Sequence, residues 1–363
     1  MRPYMFISPA RYVQGAGALG ELAPQLRSLA VKSALLVGGR SGLAAVRAAV
    51  ERDFPAADVA YSEELFGGES TDAEISRIAA IALAVCADAI VACGGGKAID
   101  TVKTAAARIG AKIIVVPTVA SNDSPCSSVA VVYNPDGTMN RLEFLGRSPE
   151  LVLVDTRIIA NAPVRQLVSG MGDALATYYE ADMGRRRGAV NVPGGSITET
   201  AMTLAKLCRD TLFEFGTGAK IAVENKVVTP ALDRVVEANV LLSGLGFESG
   251  AVTLAHGLSE GFHVIPACRE RTHGELVAFG LLAMLILDGA GHAEFSRVLA
   301  FCREVGLPAT LREIGAEPGA LLKKACEHAA RPGADGGFNA PPENDPERVY
   351  DAVLAADAVG RLI

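Results

Sequence analysis

Three residues beyond position 170 carry a combination of donors that chemistry uses. Asp173 lies in Gly170-Met171-Gly172-Asp173-Ala174-Leu175, His256 in Leu254-Ala255-His256-Gly257-Leu258, and His273 in Arg271-Thr272-His273-Gly274-Glu275. Each polar group adjoins glycine in an apolar stretch of helical character, where a charged or half-polar side chain needs a partner. Two imidazoles and one carboxylate suit a divalent metal and leave a coordination position for a reactant, as catalytic Zn2+ or Fe2+ sites do. A histidine on an apolar helix face is also commonly a satisfied core residue. Spacing alone leaves both readings open. The other histidines, His263, His292 and His328, have polar or loop-like neighbours; His263 falls between the two candidate ligands and is a pocket candidate.

A second group is contiguous. Gly94-Gly95-Gly96-Lys97 ends the apolar run Ala87-Asp88-Ala89-Ile90-Val91-Ala92-Cys93 and opens the helix-forming run Ala98-Ile99-Asp100-Thr101-Val102-Lys103. Backbone without Cβ atoms approaches a ligand closely, and a helix start offers unpaired N–H groups to an anion. With Lys97 and Lys103 nearby and the strand Lys112 to Pro117 following, this reads as a βαβ unit that cradles a nucleotide's phosphates. Ala98 replaces the Ser or Thr that holds Mg2+ in a P-loop, so kinase and NTPase readings fail. Gly15-Ala16-Gly17-Ala18-Leu19-Gly20 spells GxGxxG, but the strand before it is short and polar. No acid lies about 20 residues on, where Gly39 and Arg40 stand. A plain turn into a helix is expected there.

The elements that must position these residues divide the chain. Up to Ala162, short apolar strands alternate with helices: strands at Ala34 to Val37, Asp58 to Tyr61, Ile90 to Ala92, Ile113 to Val116 and Leu151 to Asp155, helices at Leu43 to Arg52 and Asp72 to Ala87. Val129 to Tyr133 and Arg141 to Phe144 flank the turn Asn134-Pro135-Asp136-Gly137 and read as a hairpin. Beyond Pro163 nearly every segment has helical periodicity. The expectation is an α/β Rossmann-like domain over 1–162 and an all-helical domain over 163–363. Ligands of open α/β sheets sit beyond the carboxyl ends of the strands, so the helical half should close that crevice.

Bulk properties narrow the function class. The 363 residues are 50% hydrophobic and 21% charged, with a net charge of −7 and pI ≈ 5.4. That balance argues against nucleic acid or an anionic membrane as partner. The longest apolar run, Phe279 to Leu287, falls short of the roughly 20 residues of a membrane span. The start of the chain lacks a secretory h-region, and the seven cysteines form no CxxC pair. A cytoplasmic protein with a small-molecule substrate is expected.

Taken together, these motifs resemble the glycerol dehydrogenase branch of the iron-containing (metal-dependent, group III) alcohol dehydrogenases. Gly94 to Lys103 is similar to that family's GGGKxxDxxK, and Pro117-Thr118-Val119-Ala120-Ser121-Asn122-Asp123-Ser124-Pro125-Cys126-Ser127 to its PTxASTDAPCS. Gly170 to Thr177 resembles GxGDALAT; Gly246 to Gly250, Ala255-His256 and His273 to Gly280 also match. The resemblance implies a dehydroquinate-synthase-like fold, NAD(H), and a divalent metal, usually Zn2+ with Fe2+ as the alternative, on Asp173, His256 and His273. It implies that Gly94, Gly95, Gly96, Lys97 and Asp100 hold the pyrophosphate and nearby ribose. Thr118, Ser121, Ser127, Val129 and Tyr133 would line the rest of the cofactor cleft, and Asp123 would bond a substrate hydroxyl. The implied reaction is reversible oxidation of glycerol or a related vicinal diol to a hydroxyketone. The metal acidifies the alcohol, whose carbon then gives hydride to the nicotinamide. A homo-oligomer, often an octamer, is implied as well.

Two departures bear on specificity. Where this branch has an Asp for the adenosine ribose stands Gly39, followed by Arg40. Loss of the carboxylate removes repulsion against a 2′-phosphate and Arg40 can pair with one, so NADP(H) use is expected beside NAD(H). Asn122 stands where Thr is usual, and Arg269, Glu270 and Arg271 precede the last histidine where aromatic residues and His are usual. Readings as a sn-glycerol-1-phosphate dehydrogenase-like reductase or a dehydroquinate-synthase-type lyase need a basic cluster, of which Arg269 and Arg271 are the only hint.

Overall fold

The computed structural model describes residues 2–331 and 345–362. Six parallel strands form the central sheet: β1 (Tyr12–Gly15), β2 (Ser33–Gly38), β3 (Ala60–Leu65), β4 (Ala89–Gly94), β5 (Lys112–Pro117) and, after the hairpin, β8 (Leu151–Asp155). Their spatial order is β1-β8-β5-β4-β2-β3. The hairpin strands β6 (Val129–Tyr133) and β7 (Met139–Phe144) pair antiparallel outside that sheet. Helices α1 (Leu22–Ser28), α2 (Arg40–Ala56), α3 (Asp72–Ala84) and α4 (Gly96–Ile109) complete the α/β part.

β4 and β8 are buried along their whole length, because helices cover both faces of a parallel sheet. Alternate side chains divide between two cores. Ala34, Leu36, Val91, Cys93, Ile114 and Val116 pack with Leu43, Val46, Val50 and Phe54 of α2. Leu35, Val37, Ile90, Ala92, Ile113 and Val115 face Ile75, Ile78, Ile99 and Val102 of α3 and α4. This second core runs on without a break into Met171, Leu175, Leu276 and Phe279 of the helical half.

Some boundaries differ from the sequence reading. β3 starts at Ala60 because Asp58 turns the chain with φ 56°. Its sequence is polar because it is the sheet's edge. α2 starts at Arg40, three residues before the first apolar helical residue, and α3 stops at Ala84 ahead of Cys86 at φ 50°. The Gly15-to-Gly20 turn carries no anion: the Asp155 carboxylate accepts from Gly17 N at 2.9 Å and Leu19 N at 3.1 Å. Those donors belong to the protein's own turn.

From Thr156 onward the described residues form no further strand. The helices are α5 (Thr156–Asn161), α6 (Val164–Arg186), α7 (Glu199–Glu224), α8 (Pro230–Glu237), α9 (Ser243–Ser249), α10 (Leu254–Phe262), α11 (His273–Leu287), α12 (His292–Val305), α13 (Leu311–Ile314), α14 (Ala320–Ala330) and α15 (Pro346–Gly360). A wider π turn at Ala238–Leu242 joins α8 to α9. Such turns interrupt the helical ladder and recur at functional sites. Among the described residues no helix is long and apolar enough to cross a membrane. The carboxyl ends of β2, β4 and β5 lie abreast, with Gly38 opposite Cys93 and Gly94 opposite Pro117, and open toward α6, α10 and α11.

Candidate active site

α6 and the start of α11 meet backbone to backbone. A Cβ on Gly274 would sit 1.7 Å from Ser169 O, and one on Gly172 would sit 2.3 Å from Gly274 O. Only glycine at both positions allows this crossing, and the crossing sets Asp173 beside His273. Thr272 precedes α11 and its backbone N–H donates to the Glu275 carboxylate at 2.9 Å, which fixes His273 at the first helical position. His256 enters from α10. The Asp173 Oδ1 atom lies 3.1 Å from His256 Nε2 and 3.3 Å from His273 Nε2, and one donor atom from each residue falls within 4.8 Å of the others.

A further residue, absent from the sequence reading, completes this cluster. Glu180, two helical turns after Asp173 on α6, places Oε2 2.5 Å from His256 Nδ1. Its other oxygen accepts from the backbone N–H of Thr253 at 2.9 Å and of His256 at 3.1 Å. The carboxylate therefore holds the ring with Nε2 toward Asp173. The signal was legible in principle, as a buried acid seven residues from Asp173 on one helix face.

Burial opposes charge on both imidazoles. Glu180 and Asp173 outweigh it at His256, and Asp173 at His273, so both hold a proton more tightly than an ordinary histidine. Burial likewise disfavours ionised Asp173, but His273 and His256 hold its carboxyl below the usual range. Its Oδ2 atom is buried and has no hydrogen-bond partner. A buried carboxylate with two imidazole nitrogens at one oxygen and the other oxygen bare is what a divalent metal satisfies, and the donor set fits Zn2+ or Fe2+.

Asp123 stands nearby. Ser243 Oγ, at the end of the π turn, donates to its Oδ2 at 2.7 Å. Burial, with the negative charge of Asp173 adding to it, pushes the Asp123 carboxyl up to about 7.

The opposite wall is built from the glycine turn and the loop after β5. Lys97 pairs with Glu69 at 2.6 Å and lies 5.2 Å above the Tyr133 ring. Gly96 leaves room for Asn122, whose Nδ2 would be 2.5 Å from a Cβ there. Asp100 is spent on the protein: Oδ1 accepts from Ser124 Oγ at 2.6 Å and pairs with Lys103 Nζ at 3.1 Å, and Oδ2 accepts from Val131 N at 3.0 Å. The fully buried Lys103 ammonium donates to Ser124 O, Ser127 Oγ and the Val129 carbonyl. Glu248 takes Ser128 N at 2.7 Å and Ser128 Oγ at 2.5 Å, fastening the same loop to α9.

Between the walls lies a cleft of about 700 Å³. Of the residues singled out in the sequence, Gly96, Lys97, Asp100, Ser121, Asp123, Ser127, Val129, Tyr133, Asp173, His256 and His273 all line it. His263, Asn122, Arg269 and Arg271 line it too. Gly94, Gly95 and Thr118 sit behind these at the ends of β4 and β5, where Thr118 N donates to Gly94 O at 3.0 Å. Gly39 and Arg40 lie apart, at the end of β2 and the start of α2, with Arg40 exposed.

A parallel sheet whose carboxyl ends face a two-histidine, one-carboxylate cluster fits a metal-dependent, nucleotide-linked enzyme. The chain belongs to the iron-containing alcohol dehydrogenase family. The family pattern described as "Iron-containing alcohol dehydrogenase" matches residues 9–156. A glycerol dehydrogenase from Thermotoga maritima is 42% identical over 362 residues, 98% of this chain and 97% of that protein. A glycolaldehyde reductase from Halobacterium salinarum is 39% identical over 360 residues, 99% and 98% respectively. The crystal structure of a probable glycerol dehydrogenase from Sinorhizobium meliloti 1021 superposes with a TM-score of 0.92 at 40% identity, covering 100% of both chains. The protein is an alcohol dehydrogenase by family, and membership implies a nicotinamide cofactor and a metal.

Proposed function

We propose that this enzyme catalyses the reversible NAD(P)-linked oxidation of a small vicinal diol of the glycerol type to the corresponding hydroxyketone. Asp173, His256 and His273 hold a divalent metal, Zn2+ ahead of Fe2+. The observation that carries this reading is the buried, unpartnered Oδ2 of Asp173 beside two imidazoles, one of them held by Glu180. Relatives that act on glycerol and glycolaldehyde support the substrate size.

The bound metal supplies positive charge that polarises the substrate oxygen, and the nicotinamide supplies the hydride acceptor. The chain's own residues bind and orient. Gly96, Lys97 and the backbone around them receive the pyrophosphate, with Gly94 and Gly95 shaping the turn behind. Ser121, Ser127, Val129 and Tyr133 line the path toward the metal, and Thr118 braces it. Asp100 and Lys103 keep that wall in place from inside the protein. Asp123, with Oδ2 taken by Ser243, has Oδ1 for a substrate hydroxyl, and a carboxyl whose pKa is pushed toward neutrality exchanges protons at physiological pH. Gly39 and Arg40 receive the adenosine end and admit a 2′-phosphate. The two halves, 1–162 and 163–363, act as the two walls. A cytoplasmic homo-oligomer completes the proposal.

The test is a panel of diols and hydroxyketones run with NAD(H) and NADP(H) on Zn-loaded protein, before and after chelation. Turnover of glycerol-sized diols that chelation abolishes and Zn2+ restores is expected. Chelation without effect on activity, in a protein verified metal-free, would sink the metal assignment.

A further inference from the structure

Every charged group that lines the cleft, except one, has a polar partner among the described residues. Glu260 faces His263 at 3.7 Å, Lys97 is tied to Glu69, and Asp100 to Lys103. Asp123 takes Ser243, and Asp173 lies between the imidazoles. Arg269 donates through Nε to the His263 carbonyl at 2.8 Å. Arg271 is the exception. Its Nε is buried without a hydrogen-bond partner, and its side chain joins no hydrogen bond or ion pair among the described residues. Several arginines elsewhere hold acids: Arg77 holds Glu64 and Glu74, Arg165 holds Glu275, and Arg186 holds Asp182 and Asp288.

Placement gives this uncommitted cation a role. Arg271 follows a short 3-10 turn over Pro266–Glu270, and its backbone N–H donates to Cys268 O at 3.0 Å, which fixes the segment. Two residues later comes His273, so the guanidinium's stem is anchored next to the proposed reacting centre. The side chain stands on the wall of the cleft that holds Asp173, His256 and His273, where it also borders a second hollow containing Arg303, Arg312, Glu313 and Asp357. In that hollow Glu313 is engaged by Arg303 and Asp357 by Arg361, and Glu317, which also lines it, forms no ion pair with Arg271. Among the described residues no acid pairs with Arg271 on either side. A planar guanidinium with free N–H groups is a receptor for a carboxylate or phosphate, and on a half-buried wall that pairing is stronger than at an open surface.

We propose that Arg271 receives an anionic group carried by the substrate, so that the preferred substrate is a short hydroxy compound bearing a carboxylate or phosphate beyond the reacting carbon. This rests on the reading of Asp173, His256 and His273 as the reacting centre. It changes the substrate class from neutral polyol to polyol acid and leaves the reaction as it stands. Arg271 thus acts as a specificity residue through binding, with no part in proton or hydride movement.

The experiment compares glycerol, glycerate and the glycerol phosphates as substrates of Zn-loaded full-length enzyme, alongside calorimetric binding of glycerate. One anion, at least tenfold above glycerol in kcat/KM, is expected, and which one responds decides between carboxylate and phosphate. Arg271→Gln should lower that anion-to-glycerol ratio at least tenfold, mainly through KM, and weaken the calorimetric Kd of the preferred anion by a similar factor. Arg271→Lys, which keeps the charge and loses the planar fork, should recover part of both. Glycerol oxidation without anion preference, and an unchanged ratio in both variants, overturns the proposal while the proposed function stands. Neither turnover nor binding of any of these compounds by metal-loaded enzyme overturns both.

Discussion

Two buried carboxylates on opposite walls of the cleft, Asp100 and Asp173, are 6% and 1% exposed and are treated in opposite ways. Asp100 is satisfied wholly by the protein. A hydroxyl, a backbone N–H and a buried ammonium take its oxygens, and all come from α4 and the loop and strand just beyond β5. Asp173 has two imidazoles on one oxygen and nothing on the other. Both carboxylates are buried, so the difference is one of role. A finished network holds a wall in shape, whereas an unfinished one marks where a ligand's charge belongs.

The comparison breaks first at Asp173. Asp173→Asn removes the anionic donor and should cost on the order of 4 kcal/mol in transition-state stabilisation, about a thousandfold in kcat/KM. Bound metal, read by elemental analysis, should fall with it while circular dichroism stays unchanged. Full activity in that variant would make Asp173 as structural as Asp100. Lys103→Met tests the other wall. It strips the buried partner from Asp100 and three acceptors from their donor, which should destabilise the fold by about 3–5 kcal/mol in denaturant titration. A cost below about 1 kcal/mol would show that the network is not what holds the loop.

A smaller effect is expected one step from the cluster. Glu180→Gln weakens the grip on His256 Nδ1, and metal affinity should drop about 10- to 100-fold in competition with a chromophoric chelator. In the metal-free protein both imidazoles bind protons more tightly than usual, so metal and protons compete. Lowering the pH from 8 to 6 should therefore weaken metal binding, by up to about tenfold per unit for each proton displaced. Affinity that rises on acidification would contradict this sign. The smallest effect belongs to Arg40, exposed at the start of α2. Arg40→Ala should lower the NADP-to-NAD ratio of kcat/KM by about tenfold, one charge-assisted contact. A strong native preference for NAD would remove the reason for the variant.

Much of the fold was legible because burial on both faces writes parallel strands as continuous apolar runs, as in Ile90-Val91-Ala92 and Ile113 to Val116. The edge strands escaped or shifted. Ala60–Leu65 contains Ser62, Glu63 and Glu64 because only one of its edges is paired, and a polar edge strand has no apolar signature. The rejection of the Gly15-to-Gly20 letters holds for a reason no local pattern contains, since Asp155, distant in the chain, reaches that turn from the end of the neighbouring strand β8. Glu180 and Ser243 escaped for the same reason. Each works through a partner that is distant in the chain and near only in space.

What the residue order determined by itself was the set of parts: a glycine turn between an apolar strand and a helix, and a carboxylate and two imidazoles each set beside glycine in apolar helices. Composition and local period suffice for that, because strand, turn and helix propensities act over a few residues. What only the tertiary structure decided was which polar atoms are finished and which are not. Gly172 and Gly274 let two helices touch, and that contact brings Asp173 and His273 together while leaving Oδ2 bare. It also decided that Asp100 faces inward to Lys103 and that Arg271 pairs with no acid among the described residues. Partnering of buried charge is a property of packing across the whole chain, and no window of neighbouring residues encodes it.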